Sequence, residues 1–162
     1  MPTNTRTLHL IDIENLVGDP RPDLATIRLT RLSYESQVLV GDGDLVVVAS
    51  NHGCGLDVGL AYSGARLLWR SGPDGADRAL LDVLTEREVP GRFDRVVFGS
   101  GDGIFAGPVA ALAASGVSTL VVSRPGSLAR SLRLAAGGRV VDFCPIGDPT
   151  EPVGAVALAQ VA

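Results

Sequence analysis

Three aspartates, Asp12, Asp77 and Asp102, stand where carboxylates can do chemistry. Asp102 lies in Arg95–Phe105, RVVFGSGDGIF, where Val96, Val97 and Phe98 run into a glycine-rich loop. An apolar run bounded by glycines reads as a strand buried on both faces. Asp102 therefore falls beyond the carboxyl end of a buried strand, where open α/β sheets bind ligands. Asp12 ends another apolar run, TLHLID, over residues 7–12. Strands paired side by side lie about 4.8 Å apart, so carboxylates at matching ends of neighbouring strands nearly touch. Such like charges repel, and a divalent cation relieves them. Asp77 opens a helical pattern, with Leu80, Leu81 and Leu84 following on the same stripe. It points over the sheet with the core-facing leucines, whereas Asp82 faces solvent. Each aspartate also has a structural reading. Asp77 can be a dipole partner, Asp102 a cap or turn residue, and Asp12 a cap if a helix starts near Asn15. Three of them at equivalent ends point instead to a shared cation site.

The elements that must position these residues alternate along the chain. Strands are expected over 7–12, 45–49, 66–69, 96–99, 119–123 and 140–143. Helices are expected over 24–39 capped by Asp23, 56–62, 76–88, 106–115 with Pro108 in the first turn, and up to Ala136 from a cap at Ser127. This alternation is the pattern of one α/β domain, a parallel sheet with helices on both faces. Residues 149–162 form an apolar tail that can dock on the body or mediate homo-oligomer formation.

Composition removes several chemistries. All 14 basic residues are arginine. Without lysine there is no Walker A loop and no Schiff base. Only His9 and His52 are available, so histidine-rich zinc sites are disfavoured. The third glycine of a dinucleotide fingerprint would fall at Ile104, so that motif fails. A net charge of −4 argues against a broadly basic nucleic-acid grip, though not against a local patch with bound cations. Cys54 and Cys144, far apart in sequence, read as free buried thiols of a cytoplasmic chain, a disulfide being the alternative. No run has the length of a membrane span.

Three segments resemble the motifs of NYN domains, which belong to the PIN-like metal-dependent ribonucleases. They are Ile11–Leu16 (IDIENL), Gly75–Asp82 (GADRALLD) and Ser100–Phe105 (SGDGIF). The resemblance spans about residues 7–143. It implies a Rossmann-like three-layer fold with strand order 3-2-1-4-5 and room for a sixth strand. It also implies RNA as substrate and Mg²⁺ or Mn²⁺ as cofactor, held by Asp12, Asp77 and Asp102, with Asn15 orienting a ligand, water or phosphate. Many family members carry a further aspartate where this chain has Ile104. A single Mg²⁺ needs only one or two protein carboxylates, whereas a two-ion arrangement lacks a ligand here unless Glu14, Asp57 or Asp74 supplies it.

Arg70, Arg124 and Arg130, with Ser100 and Asn15, are the candidate substrate contacts. Arg130 and Arg133 share a helical face that could hold phosphates or simply be solvated. His52 reads as a surface residue, His9 as a core histidine with one hydrogen bond, and Trp69 as core. Two other functions compete with a ribonuclease. One is a PIN-like module that binds RNA or protein without cleaving, favoured by Ile104. The other is a haloacid dehalogenase-like phosphatase, suggested by Asp12-Ile13-Glu14.

Overall fold

The computed structural model describes residues 5–86 and 88–147. The tail expected over 149–162 lies outside them. Six strands, β1 (Thr7–Asp12), β2 (Leu45–Ser50), β3 (Arg66–Trp69), β4 (Arg95–Gly99), β5 (Ser118–Ser123) and β6 (Val140–Asp142), form one parallel sheet. Their order is β3-β2-β1-β4-β5-β6, so the expected Rossmann-like order is present and is extended by β6. The chain reverses its direction of travel across the sheet between β1 and β4. In open α/β sheets the carboxyl ends of the strands at such a switch point are where ligands bind.

Six helices cover the sheet: α1 (Ile13–Val17), α2 (Leu24–Gln37), α3 (Gly55–Ala61), α4 (Gly75–Glu86), α5 (Ala106–Ala114) and α6 (Arg130–Ala136). Strand residues alternate between two layers. Leu8, Leu10, Val47, Ala49, Val96 and Phe98 pack with α4, α5 and α6. Ile11, Val48, Val97 and Val122 pack with α1, α2 and α3. Burial of β1 is complete over all six residues, as its central place requires. No helix among the described residues is long and apolar enough to cross a membrane.

Local chemistry sets the ends of these elements. Asp23 caps α2 by accepting a hydrogen bond from the Thr26 amide at 2.8 Å. The expected cap at Ser127 is absent. α6 begins at Arg130; its N-cap Ala129 has no polar side chain to cap with, and the Ala129 amide donates to the Gly101 carbonyl at 2.9 Å. α1 is a short helix capped by Asp12, so the structural reading of that aspartate also holds.

Two core expectations change. His9 bonds through both ring nitrogens, to the Tyr34 hydroxyl at 2.8 Å and to Asp44 at 3.3 Å. Burial lowers its pKa, opposed by the Asp44 carboxylate. Trp69 is not core: it ends edge strand β3 and is 53% exposed. Both cysteines are free thiols, Cys54 buried but Cys144 only half-buried.

Candidate functional site

The acidic residues assemble through strand parity. Asp12 follows Leu8 and Leu10 at period two, so its carboxyl enters the layer that α4 covers. Asp77 lies in the first turn of α4 on the stripe of Ala76, Leu80 and Val83, all buried. The two side chains, 5% and 6% exposed, interact there. Gly75 permits the approach. A Cβ at that position would stand 2.4 Å from the Arg70 carbonyl oxygen, so any side chain would lift the start of α4 off the exit of β3.

Burial, then the Asp77 charge, push the Asp12 carboxyl up to about 8, although the Asn15 amide donating to it at 3.2 Å pulls the other way. Burial also raises Asp77, to about 6, with the charges of Asp102, Asp74 and Glu14 contributing. Contact with Asp12 pulls Asp77 the other way. Near pH 7 the pair therefore holds one proton. The Oδ1 atom of Asp77 is buried with no hydrogen-bond partner among the described residues. A buried acceptor without a donor is costly in a folded protein and calls for a functional reason.

Asp102 does not end β4 level with Asp12. The β1–β4 register pairs Ile11 with Gly99, which leaves Asp12 level with Ser100. Asp102 lies two residues further on and caps a one-turn 3-10 helix, Gly103–Phe105, by accepting from the Ile104 amide at 2.9 Å. Its charge reaches Asp77. Among the described residues no three His, Cys, Asp or Glu side chains form a ready metal-ligand group. Two carboxyls interact, and the third stands by.

Asn15 locks the two sides of the switch point together. Its Oδ1 accepts from the Gly101 amide at 2.9 Å, joining α1 to the loop after β4. That loop is tight: a Cβ on Gly101 would stand 2.4 Å from both the Ser123 hydroxyl and the Ser127 carbonyl oxygen. Ser100 is buried, and its hydroxyl accepts from the Asp102 amide at 3.3 Å. Glu14 turns towards the β2 exit, where its Oε1 accepts from the Asn51 amide at 2.5 Å.

The arginines divide. Arg70 is exposed and paired with Asp82 at 2.9 Å. Arg124, Arg130 and Arg133 make no salt bridge among the described residues. The guanidinium of Arg124, from the residue after β5, lies against Gly18, which follows α1. It therefore reaches from β5 across to the element that carries Asn15. Arg130 and Arg133 are exposed on α6. His52 is exposed and bonds through Nδ1 to the Ser71 hydroxyl at 2.5 Å.

Sequence reasoning missed the exposure of Trp69 and the groove beside it. The available signal was α3 itself, where Leu56 and Leu60 are spaced by one turn and accompanied by Gly55 and Gly59. No protein-family model, curated protein or solved structure matches the chain.

Proposed function

We propose that this chain is a divalent-cation-dependent ribonuclease of the NYN, PIN-like kind. The observation that carries the reading is the buried Asp12–Asp77 pair at the switch point, with an Asp77 oxygen that no group among the described residues satisfies. Two adjoining acids that must share a proton, and an acceptor left without a donor, suit a cation. Mg²⁺ completes its shell with water and takes one or two protein carboxylates, so the pair fits it and Mn²⁺ serves the same donors. Asp12 and Asp77 would hold the ion, with Asp102 as the third acid beside Asp77. A bound ion supplies Lewis-acid activation of water and offsets charge on the attacked phosphate.

The chain's own residues do the rest. On cation binding the proton the pair shares would pass to solvent, leaving two carboxylates to hold the ion. Asn15 fixes the loop bearing Ser100 and Asp102 relative to Asp12. Arg124 and Arg130, which have no carboxylate partner among the described residues, are available to RNA phosphates. Arg70 is less available because Asp82 holds it.

The test incubates structured and unstructured RNA with the protein in Mg²⁺, Mn²⁺ or chelator, alongside Asp12→Asn. Cleavage is expected only with cation and only for the unmodified protein. Degradation that resists chelator and is equal in both proteins would overturn the proposal. Ile104, at a position that is acidic in many NYN domains, favours one second reading, an RNA-binding module without cleavage. Retained RNA binding with no cleavage in either cation would select it.

A further inference from the structure

Helix α2 turns leucines to solvent and hydroxyls to the core. It buries Thr30 and Ser33 beside Ile27 and Tyr34, while Leu29 and Leu32 stand exposed. With Ala25 and Ser36, also exposed, they make an uncharged stripe at positions 25, 29, 32 and 36. That four-three-four spacing is the spacing of a helix face that packs against something. We infer that residues 153–162 of the same chain, VGAVALAQVA, cover this stripe.

The route of the chain supports this. After β6 it comes to lie along α2. The Gln37 side chain donates to the Cys144 carbonyl at 2.6 Å and accepts from the Cys144 amide at 3.3 Å. Two residues on, the Ile146 amide donates to the Ser33 hydroxyl at 2.8 Å. Two extended residues advance about as far as one helical turn, so the chain steps along α2 towards the helix N-terminus. The Ser33 hydroxyl itself donates to the Leu29 carbonyl at 2.7 Å. Ile146, 47% exposed, therefore arrives within a turn of Leu29 and beside the residue that follows Leu32. Gly147 then takes φ +83°, a left-handed conformation that turns the chain at this point. The six steps from Gly147 to Val153 span at most about 20 Å, roughly twice the diameter of a helix. The apolar segment reaches Leu29 and Leu32 without strain.

The chemistry of the segment matches the stripe. It has no charged side chain, and the alanines and glycine between Val153, Val156, Leu158 and Val161 let its backbone come close to leucine side chains. Neither surface brings a charge that would have to be desolvated, and both gain by leaving water. A second copy would present the same two surfaces. A short tether, however, holds the segment at an effective concentration of about millimolar, above that of a free partner in dilute solution. α2 packs on the layer opposite α4, so the inference is independent of what Asp12 and Asp77 do.

Amide hydrogen exchange of the full chain at low micromolar concentration, read by mass spectrometry, tests this. A synthetic peptide of residues 148–162 gives the unprotected rates. Amides of 153–162 in the protein should exchange about 10-fold or more slowly than in the peptide, as in a locally ordered segment. Leu29→Gln combined with Leu32→Gln should return them to the peptide's rates and leave exchange in the sheet unchanged, because both leucines are exposed and glutamine is a good helix former. Val156→Asp combined with Leu158→Asp, a change made in the segment itself, should give the same loss and keeps the test open if the first variant folds poorly. Wild-type amides exchanging at the peptide's rates overturn the inference. Protection that survives the α2 substitutions in a folded protein overturns the stripe as the docking site. Protection that fades on dilution, together with a dimer in sedimentation, overturns the tethered contact and shows that a second copy covers the stripe instead.

Discussion

Replacing Asp77 with asparagine removes one charge from the buried pair and changes the shape of the side chain little. In the cation-free protein this substitution should stabilise the fold at neutral pH. The carboxyl has an ordinary value of 3.8 and is raised to about 6 in the folded chain. That difference corresponds to about 3 kcal/mol of unfavourable free energy once the folded side chain is ionised. An asparagine there still buries a polar atom without a partner, at a cost of about 1–2 kcal/mol. A net gain of about 1–2 kcal/mol remains, or about 5 °C in melting temperature for a domain of this length. The sign depends on pH. Below 3.8 the carboxyl is protonated whether the chain is folded or not, and the wild type carries no penalty. As pH rises from 3.8, the unfolded chain ionises while the folded one holds its proton, so wild-type stability falls until about pH 6 and the loss is then complete. Thermal melts of both proteins in chelator, at pH 3.5 and pH 7, should therefore cross. Saturating Mg²⁺ or Mn²⁺ should raise the wild-type melting temperature by mass action and leave Asp77→Asn unmoved. A variant that melts lower than wild type by the same amount at both pH values would refute the reasoning.

Other expectations follow from the same geometry. Cation binding at pH 7 should release about one proton, because Asp12 and Asp77 titrate at about 8 and about 6; calorimetry in buffers of different ionisation enthalpy reads that number. Asn15→Ala should cost about 1–2 kcal/mol in urea unfolding by leaving the Gly101 amide without its acceptor, and should abolish cleavage. Gly75→Ala should displace the start of α4 and lower stability by about 1–3 kcal/mol, with cleavage lost even where the variant is fully folded. Tyr34→Phe should cost about 1–3 kcal/mol, because it strips the buried His9 of a hydrogen-bond partner.

The layout of the sheet was legible because each strand is a short apolar run closed by glycine or a polar turn, and because Asp77, Leu80 and Leu84 share a helical stripe. What escaped the sequence depended on side chains choosing between partners. Asp102 was placed against Asp12 by assuming matched strand ends, but its carboxylate caps the following turn and the register stops at Gly99. Trp69 reads as core by residue type. It is exposed because β3 is the sheet edge, although Gly55 leaves room for the indole to lie against α3. Ser127 has the composition of a cap, yet α6 starts only at Arg130, after the Ala129 amide has bonded to the Gly101 carbonyl. His9 found its second partner in Asp44, 35 positions away, which no local pattern announces.

The two-residue alternation of β1 has a bearing on how this protein can diverge. Asp12 faces α4 only because it has the same parity as Leu8 and Leu10. Deleting or inserting a single residue within that strand would send the acid into the opposite layer, among Ile27, Tyr34 and Val58, and bring an aliphatic side chain to Asp77. Lineages of this chain should therefore accumulate length changes in the connecting loops and exchanges of side chain within β1, while its residue count stays fixed.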